Sequence, residues 1–167
     1  GGSQIWLKES EQMSVNDMLK ATAIGSANDA CTALGEYIAG GEAEFVAMMN
    51  AKAVALGCTE TNFVNTSGYP EDNHYTNAYS LFLITKEAMK YPVFENIIAM
   101  TEVVIPATNL SEARKLETTH ALIKASEYYN PYAIGGKTGS SSSSGLCFVS
   151  VARKGEKTVI TVVLGAA

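Results

Sequence analysis

Two short stretches of the chain carry side chains that could bind an anion or pass a proton. One is the Ser-x-Asn sequence at 26–28, within "AIGSANDAC", and the other is the Lys-Thr-Gly sequence at 137–139, within "AIGGKTGSSSSSGLCF". The second stretch has three possible interpretations: a phosphate-binding loop, a flexible linker, or one wall of an active site. Each interpretation requires a different kind of sequence around the stretch.

The first two interpretations fail on the surrounding sequence. A phosphate-binding loop needs a glycine five positions before its Gly-Lys-Thr and a helix after it, but this chain has Pro131 there and a β-rich segment after Thr138. A linker should separate two domains, whereas only a short hairpin follows the serines at 140–144, and a hairpin is not a domain. The active-site interpretation remains, and it needs elements that bring the two stretches together.

Glycine and proline divide the first part of the chain into helices. Ser14 and Asp17 resemble a capping box, Gly25 ends the first helix, and the pair Gly40-Gly41 ends the second. Apolar residues recur at helical spacing between these breaks, and Pro92 ends the fourth helix and can start a short successor. Four main helices are predicted, at 14–24, 27–39, 43–56 and 76–91, the last capped by Thr76.

The second part of the chain has the pattern of β-strands. A short strand is predicted in "TEVVIPAT", and residues 145–153 and 157–164 form a hairpin around the turn at 154–156. Helices followed by a terminal hairpin indicate an α/β (α+β) domain in which helices pack on an antiparallel sheet. The sheet is small for its helices, so we expect strands to be missing from this chain.

Composition excludes several classes of function. The formal net charge is −5 and the pI is about 5.0, without a cluster of Lys or Arg, which argues against a nucleic-acid or anionic-membrane surface. Cys31, Cys58 and Cys147 lack metal-type spacing and are predicted to be free buried thiols. His74 and His120 are separated, and surface or capping roles are predicted for both.

The sequence between the two stretches resembles one family closely. The segments "GSANDA", "FVAMMNAKAVALG", "TNFVNTSGYP" and "HYTNAYSLFLITKEA", with "GGKTG" and the ending "VSVARKGEKTVITVVLGA", are similar to those of D-alanyl-D-alanine carboxypeptidases of the low-molecular-mass penicillin-binding proteins. The resemblance covers nearly all of 1–167. It implies the transpeptidase fold shared by penicillin-binding proteins and β-lactamases, and it implies no metal or organic cofactor.

The resemblance also implies a reaction and its catalytic residues. A serine attacks the carbonyl of the penultimate D-Ala of a peptidoglycan stem peptide, D-Ala leaves, and water hydrolyses the acyl-enzyme; β-lactams acylate the same serine. In this chain Ser26 would pass a proton to the leaving amine and Asn28 would hydrogen-bond the substrate's peptide. Lys137 would supply positive potential and help to keep a second, motif lysine neutral.

The remaining matched residues would bind substrate. Thr138 would hydrogen-bond the terminal carboxylate, and Gly139 would let the substrate lie against the strand edge. The backbone N–H of Ser140 would be one oxyanion donor. The family more often has a mixed polar and aromatic turn after this point, so a mobile or altered turn is expected at 140–144. Tyr128, Tyr129 and Tyr132 could line a cleft, but packing is the favoured prediction.

The family's nucleophile motif, Ser-x-x-Lys, does not occur in these 167 residues; Ser111 and Ser150 are each followed three positions later by Arg, which is always protonated and could not act as a base. We therefore expect a single catalytic domain, 1–167, that lacks an N-terminal segment and early strands and is inactive unless another segment or chain supplies them. By family, the enzyme would act outside the bacterial cytoplasmic membrane.

Two alternative functions remain open. A class A β-lactamase shares similar motifs, but it would need a Glu-x-x-x-Asn loop, and Glu60 in "TETNFVNTSGYP" does not begin one. A noncatalytic module that binds muropeptides or a protein would explain the absent nucleophile, although it would have little need of Ser26, Asn28 and Lys137 together. Role in growth or sporulation, oligomeric state and β-lactam preference are not indicated by the sequence.

Overall fold

Five α-helices and two antiparallel sheets make up the computed structural model, which describes residues 2–167. All four predicted main helices are present, and Pro92 does start the short fifth one. The helices are α1 (Val15–Ile24), α2 (Asn28–Ala39), α3 (Glu42–Ala55), α4 (Ala78–Ala88) and α5 (Pro92–Ile98).

Local chemistry fixes where these helices start and stop. The Ser14 hydroxyl accepts a hydrogen bond from the Asp17 N–H at 3.1 Å and donates to the Asp17 carboxylate at 2.7 Å, which confirms the predicted cap of α1. Gly40 ends α2 in the left-handed conformation, with φ of 85°. The predicted cap of α4, Thr76, was wrong by one residue: the Asn77 carboxamide oxygen caps this helix by accepting a hydrogen bond from the Ser80 N–H at 2.8 Å.

The main hydrophobic core lies between α1, α2 and the segment before α1. Alanines dominate the contact, which lets the two helices approach closely. The buried face of α1 carries Met18, Ala21 and Ile24, whereas Val15 and Leu19 are 45% and 37% exposed. The cluster consists of Ile5, Met18, Ala21, Ala27, Ala30 and Leu34.

A buried ion pair ties the segment before α1 to the second half of the chain. The Arg114 guanidinium donates to both carboxylate oxygens of Glu11, at 2.8 and 3.1 Å, and the Thr108 hydroxyl donates to the same carboxylate at 2.6 Å. The hydrogen bond from Arg114 is the main reason that the pKa of Glu11 is lowered from 4.5 to about 2.

The strands form two sheets. A small sheet pairs β1 (Glu102–Ile105) with β2 (Arg114–Glu117), and β2 had not been predicted. The larger sheet has the antiparallel order β3-β4-β5, formed by Ala133–Ser141, Gly145–Lys154 and Lys157–Ala166, so the predicted hairpin is confirmed. Lys-Thr-Gly lies within β3, an outer strand of this sheet.

Close packing of β3 on the helices positions the site. A side-chain carbon on Gly135 would lie 2.1 Å from the Ile98 carbonyl oxygen, so only glycine lets β3 contact the end of α5. The face of β3 that carries Gly135 also carries Lys137, because side chains alternate along a strand. Lys137 therefore points toward the helices. Within residues 2–167 none of the helices has the length and apolar character needed to cross a membrane.

Candidate active site

Ser26 occupies a strained corner between α1 and α2. Its φ is 55°, a left-handed conformation that costs a residue with a side chain about 1–2 kcal/mol. The corner is held by the N–H groups of Gly25 and Ala27, which both donate to the Ala21 carbonyl at 3.1 Å, and Ala27 is fully buried. Backbone strain of this kind concentrates at functional sites, and the Ser26 side chain at this corner is half-buried.

Asn28 begins α2 beside this corner and contacts the start of the chain. Its backbone N–H donates to the Ser3 carbonyl at 2.9 Å, and a side-chain carbon on Gly2 would lie 2.5 Å from the Asn28 amide nitrogen. The next residue, Asp29, accepts hydrogen bonds from the N–H groups of Ile5 and Leu7 at 3.2 and 3.0 Å. The segment before α1 therefore fixes the position of Asn28.

Lys137 joins the sheet to the Ser26 corner. Its ammonium donates to the Ser26 hydroxyl oxygen at 2.7 Å and to the Thr138 carbonyl oxygen at 2.6 Å, and the first of these bonds connects residues 111 positions apart. Burial lowers the pKa of Lys137 from its usual value of 10.5, because desolvation disfavours the charged form. The structure thus brings the two predicted motifs into direct contact.

Gly139 and Ser140 lie in the exposed part of β3. A side-chain carbon on Gly139 would meet nothing closer than the Cys147 side chain, at 4.0 Å, so the chain's own packing does not require glycine there. The edge of β3 that faces away from β4 is not used by the three-stranded sheet, and its backbone groups could pair with an extended ligand. The missing side chain leaves that edge open.

Thr138 lies on the opposite face of β3 from Lys137, as strand alternation requires. Its hydroxyl makes a short hydrogen bond with the hydroxyl of Thr119, an exposed residue that was not predicted to belong to the site. No local pattern in "LETTHAL" marks Thr119, because the contact depends on how the loop after β2 folds over β3. A ligand along the open edge of β3 could be reached by side chains from both faces of the strand.

The side chain of His120, the next residue in this loop, is buried and makes no cap hydrogen bond, so the prediction of a surface or capping role was wrong for it. It is only 1% exposed, its Nε2 lies 3.2 Å from the Ser150 hydroxyl on β4, and its ring centroid lies 4.8 Å from that of Phe148. Burial lowers the pKa of the His120 imidazole. His120 therefore connects the loop that carries Thr119 to the centre of the sheet.

The serine run divides between strand and turn. Ser140 and Ser141 belong to β3, and the remaining three serines form the connection to β4. The Ser141 hydroxyl accepts from the Ser144 N–H at 2.9 Å and lies 2.6 Å from the Ser144 hydroxyl, so the turn has hydrogen bonds of its own. The mobility expected of this turn stays a prediction.

Other suggestive residues lie outside the site. Tyr128, Tyr129 and Tyr132 are exposed, so the prediction that they pack was wrong. The Lys154 ammonium lies over the Tyr132 ring, with its nitrogen 4.8 Å from the ring centroid. The cysteines are free thiols, as predicted, although only Cys58 is fully buried. Among residues 2–167, no group of three or more His, Cys, Asp or Glu side chains could hold a metal ion.

Comparison with known proteins places this geometry in a family. A family model described as D-alanyl-D-alanine carboxypeptidase matches residues 1–167. The chain is 40% identical over 166 residues to D-alanyl-D-alanine carboxypeptidase DacF of Bacillus subtilis, covering 99% of this chain and 41% of DacF. It is 32% identical over 166 residues to DacC of Escherichia coli, again covering 99% of this chain and 40% of that protein.

Solved structures agree. A D-alanyl-D-alanine carboxypeptidase from Mycobacterium tuberculosis superposes with a TM-score of 0.88 at 28% identity, covering 100% of this chain and 62% of that one. Penicillin-binding protein 6B from Escherichia coli superposes with a TM-score of 0.84 at 30% identity, covering 99% of this chain and 50% of that one. The predicted penicillin-binding-protein fold is confirmed. The chain spans about two fifths of the length of these curated relatives, and it belongs to the D-alanyl-D-alanine carboxypeptidase family.

Proposed function

We propose that the protein containing this chain is a serine D-Ala-D-Ala carboxypeptidase that removes the terminal D-Ala from peptidoglycan stem peptides through an acyl-enzyme. One observation carries the proposal: the Lys137 ammonium lies 2.7 Å from the Ser26 hydroxyl oxygen, although the two residues are 111 positions apart. The contact joins the two motifs that the family uses, and membership of the family supplies the substrate.

Ser26 is proposed to be the proton carrier. Because Lys137 donates to the Ser26 oxygen, the hydroxyl hydrogen of Ser26 is left to donate elsewhere. Collapse of the tetrahedral intermediate breaks the peptide bond, and the leaving amine of D-Ala takes this proton. The family's motif lysine, having taken a proton from the nucleophilic serine as that serine attacked, passes this proton to Ser26 and so restores its hydroxyl. Asn28, fixed beside the same corner, is proposed to hydrogen-bond the peptide of the substrate.

The open edge of β3 is proposed to bind the substrate's C-terminal end. Lys137 provides a half-buried positive charge for the terminal carboxylate, and Thr138 provides a hydroxyl donor. Gly139 leaves room for the peptide along the strand, and the N–H of Ser140 is proposed to stabilise the oxyanion. The reaction needs no metal or organic cofactor.

The nucleophile is proposed to come from a segment outside these 167 residues. The chain contains no Ser-x-x-Lys sequence. The outer strand β5 exposes Val159 and Val163 at 58% and 42%, which suits pairing and packing with further strands. Residues 1–167 are thus proposed to be one incomplete catalytic domain, inactive alone. Following its family, we place the protein outside the cytoplasmic membrane, acting on stem peptides and acylated by β-lactams.

Labelling with a fluorescent penicillin tests the proposal. The complete protein, with its upstream segment, should be labelled covalently and should release D-Ala from a peptide that ends in D-Ala-D-Ala. The 167-residue chain alone should not be labelled. Labelling of that chain would show that it carries its own nucleophile and would refute the proposal. A complete protein that binds the peptide without hydrolysing it would indicate a binding module. Efficient turnover of nitrocefin would favour a β-lactamase.

A further inference from the structure

Thr119 sits in a loop that the fold holds tightly on both sides. Its neighbours Thr118 and His120 are 6% and 1% exposed, whereas Thr119 itself faces solvent. The Thr118 N–H donates to the Thr101 carbonyl at 2.9 Å, and the His120 N–H donates to the Thr118 hydroxyl at 3.2 Å. This arrangement presents one exposed hydroxyl from a fixed backbone.

The loop is anchored directly beside the proposed substrate edge. His120 contacts Ser150 and Phe148 of β4, and Phe148 is the register partner of Thr138 on β3. The buried imidazole therefore places Thr119 over Thr138, where the two hydroxyls hydrogen-bond. Both hydroxyls belong to residues that are not fully buried, so the pair lies at the surface of the site.

We propose that Thr119 is a positioning residue for the substrate's terminal carboxylate, acting by fixing the orientation of the Thr138 hydroxyl. A free threonine hydroxyl rotates, and its hydrogen is directed by whatever partner it finds. When Thr119 donates to the Thr138 oxygen, the hydrogen of Thr138 is left to point at the carboxylate, and the chain of two hydrogen bonds strengthens each member. The inference rests on the proposed function, because the carboxylate is that of the proposed substrate.

Thr119→Val tests this role, because valine keeps the shape of threonine and removes the hydroxyl. We expect kcat/KM of the complete protein for a peptide ending in D-Ala-D-Ala to fall about three- to tenfold, the range for one neutral hydrogen bond. The same peptide with a C-terminal amide should be affected far less. Thr119→Ser, which keeps the hydroxyl, should retain the preference for the carboxylate. Thr59→Val, at an exposed threonine outside the site, is the matched control.

A double-mutant cycle separates positioning from simple packing. If Thr119 acts through Thr138, adding Thr119→Val to Thr138→Val should produce little further loss, because the group that it orients is already gone. Additive losses would overturn the inference, as would equal losses on the carboxylate and amide peptides. Circular dichroism melting checks that each variant is folded, and Thr119→Ala is a second variant if valine is not tolerated.

The outcomes also separate this inference from the proposed function. The role of Thr119 alone is overturned if the wild-type protein hydrolyses the carboxylate peptide in preference to the amide and Thr119→Val shows the same preference. A wild-type protein with no activity on either peptide, and no acylation by penicillin, overturns both.

Discussion

Replacing Lys137 by methionine should nearly abolish acylation while leaving the folded protein about as stable as before. Methionine has a similar length to lysine and no charge, so it can fill the same half-buried space. The position tests whether the buried ammonium serves catalysis and not folding. Lys137 donates to two oxygens but contacts no carboxylate in any of the ion pairs of residues 2–167.

The expected magnitudes follow from opposing contributions. The substitution removes two hydrogen bonds from a charged donor, each worth about 1.5–3 kcal/mol. It also removes the cost of burying an ammonium, which is several kcal/mol per ion. The two nearly cancel, so the free energy of unfolding should change by no more than about 2 kcal/mol. Acylation loses its preorganised positive charge and should slow about 10²- to 10³-fold.

The assay combines urea unfolding with the rate of penicillin acylation of the complete protein. Burial lowers the pKa of Lys137 below 10.5, so above the folded-state pKa the unfolded chain binds more protons than the folded one. The stability of the wild type should therefore rise relative to that of Lys137→Met as pH increases toward 10.5. A loss well above 2 kcal/mol in the variant, or a fall in acylation of less than about tenfold, would refute this reasoning.

Three further predictions concern the elements that hold the site. Ser26→Gly and Ser26→Ala should slow acylation equally. The glycine variant should be more stable than the alanine variant by about 1 kcal/mol in urea unfolding, because only glycine adopts the positive φ without strain. Equal stabilities would contradict strain at this corner. Glu11→Gln should lower the free energy of unfolding by about 3 kcal/mol at pH 7, where the wild-type pair with Arg114 is intact. Because the pKa of Glu11 is about 2 in the fold and 4.5 otherwise, the stability difference between wild type and variant should vanish as pH falls from 4.5 toward 2. A stability difference that is independent of pH would exclude this pair as its cause. Because the pKa of His120 is lowered in the fold, its contribution to stability is fully present above about pH 6.5 and is lost as pH falls through the folded-state pKa. In thermal melting, His120→Gln should therefore lose less stability than the wild type between pH 6.5 and pH 5. An equal loss in both proteins would assign the effect to another group.

Local sequence signals were sufficient for the main helices, the terminal hairpin and the two motifs. Apolar spacing with its glycine breaks located the helices, and the cap at Ser14 formed because its partner, Asp17, lies within the same turn. The hairpin of β4 and β5 was equally visible, since strands joined by a tight turn depend on neighbouring residues. The resemblance to the family identified Ser26 and Lys137 as site residues, and the fold brings them together.

Tertiary contact decided what no local pattern encodes. The strand β2 is short and polar, and it forms because β1 lies opposite it. His120 is buried only because β4 supplies Ser150 and Phe148 around its ring, and a single histidine in a loop gives no sign of this. Thr119 reaches the site for the same reason. The sequence by itself determined most of the groups that this chain brings to the proposed reaction. The packing of a loop on the sheet added Thr119, whose hydroxyl contacts that of Thr138.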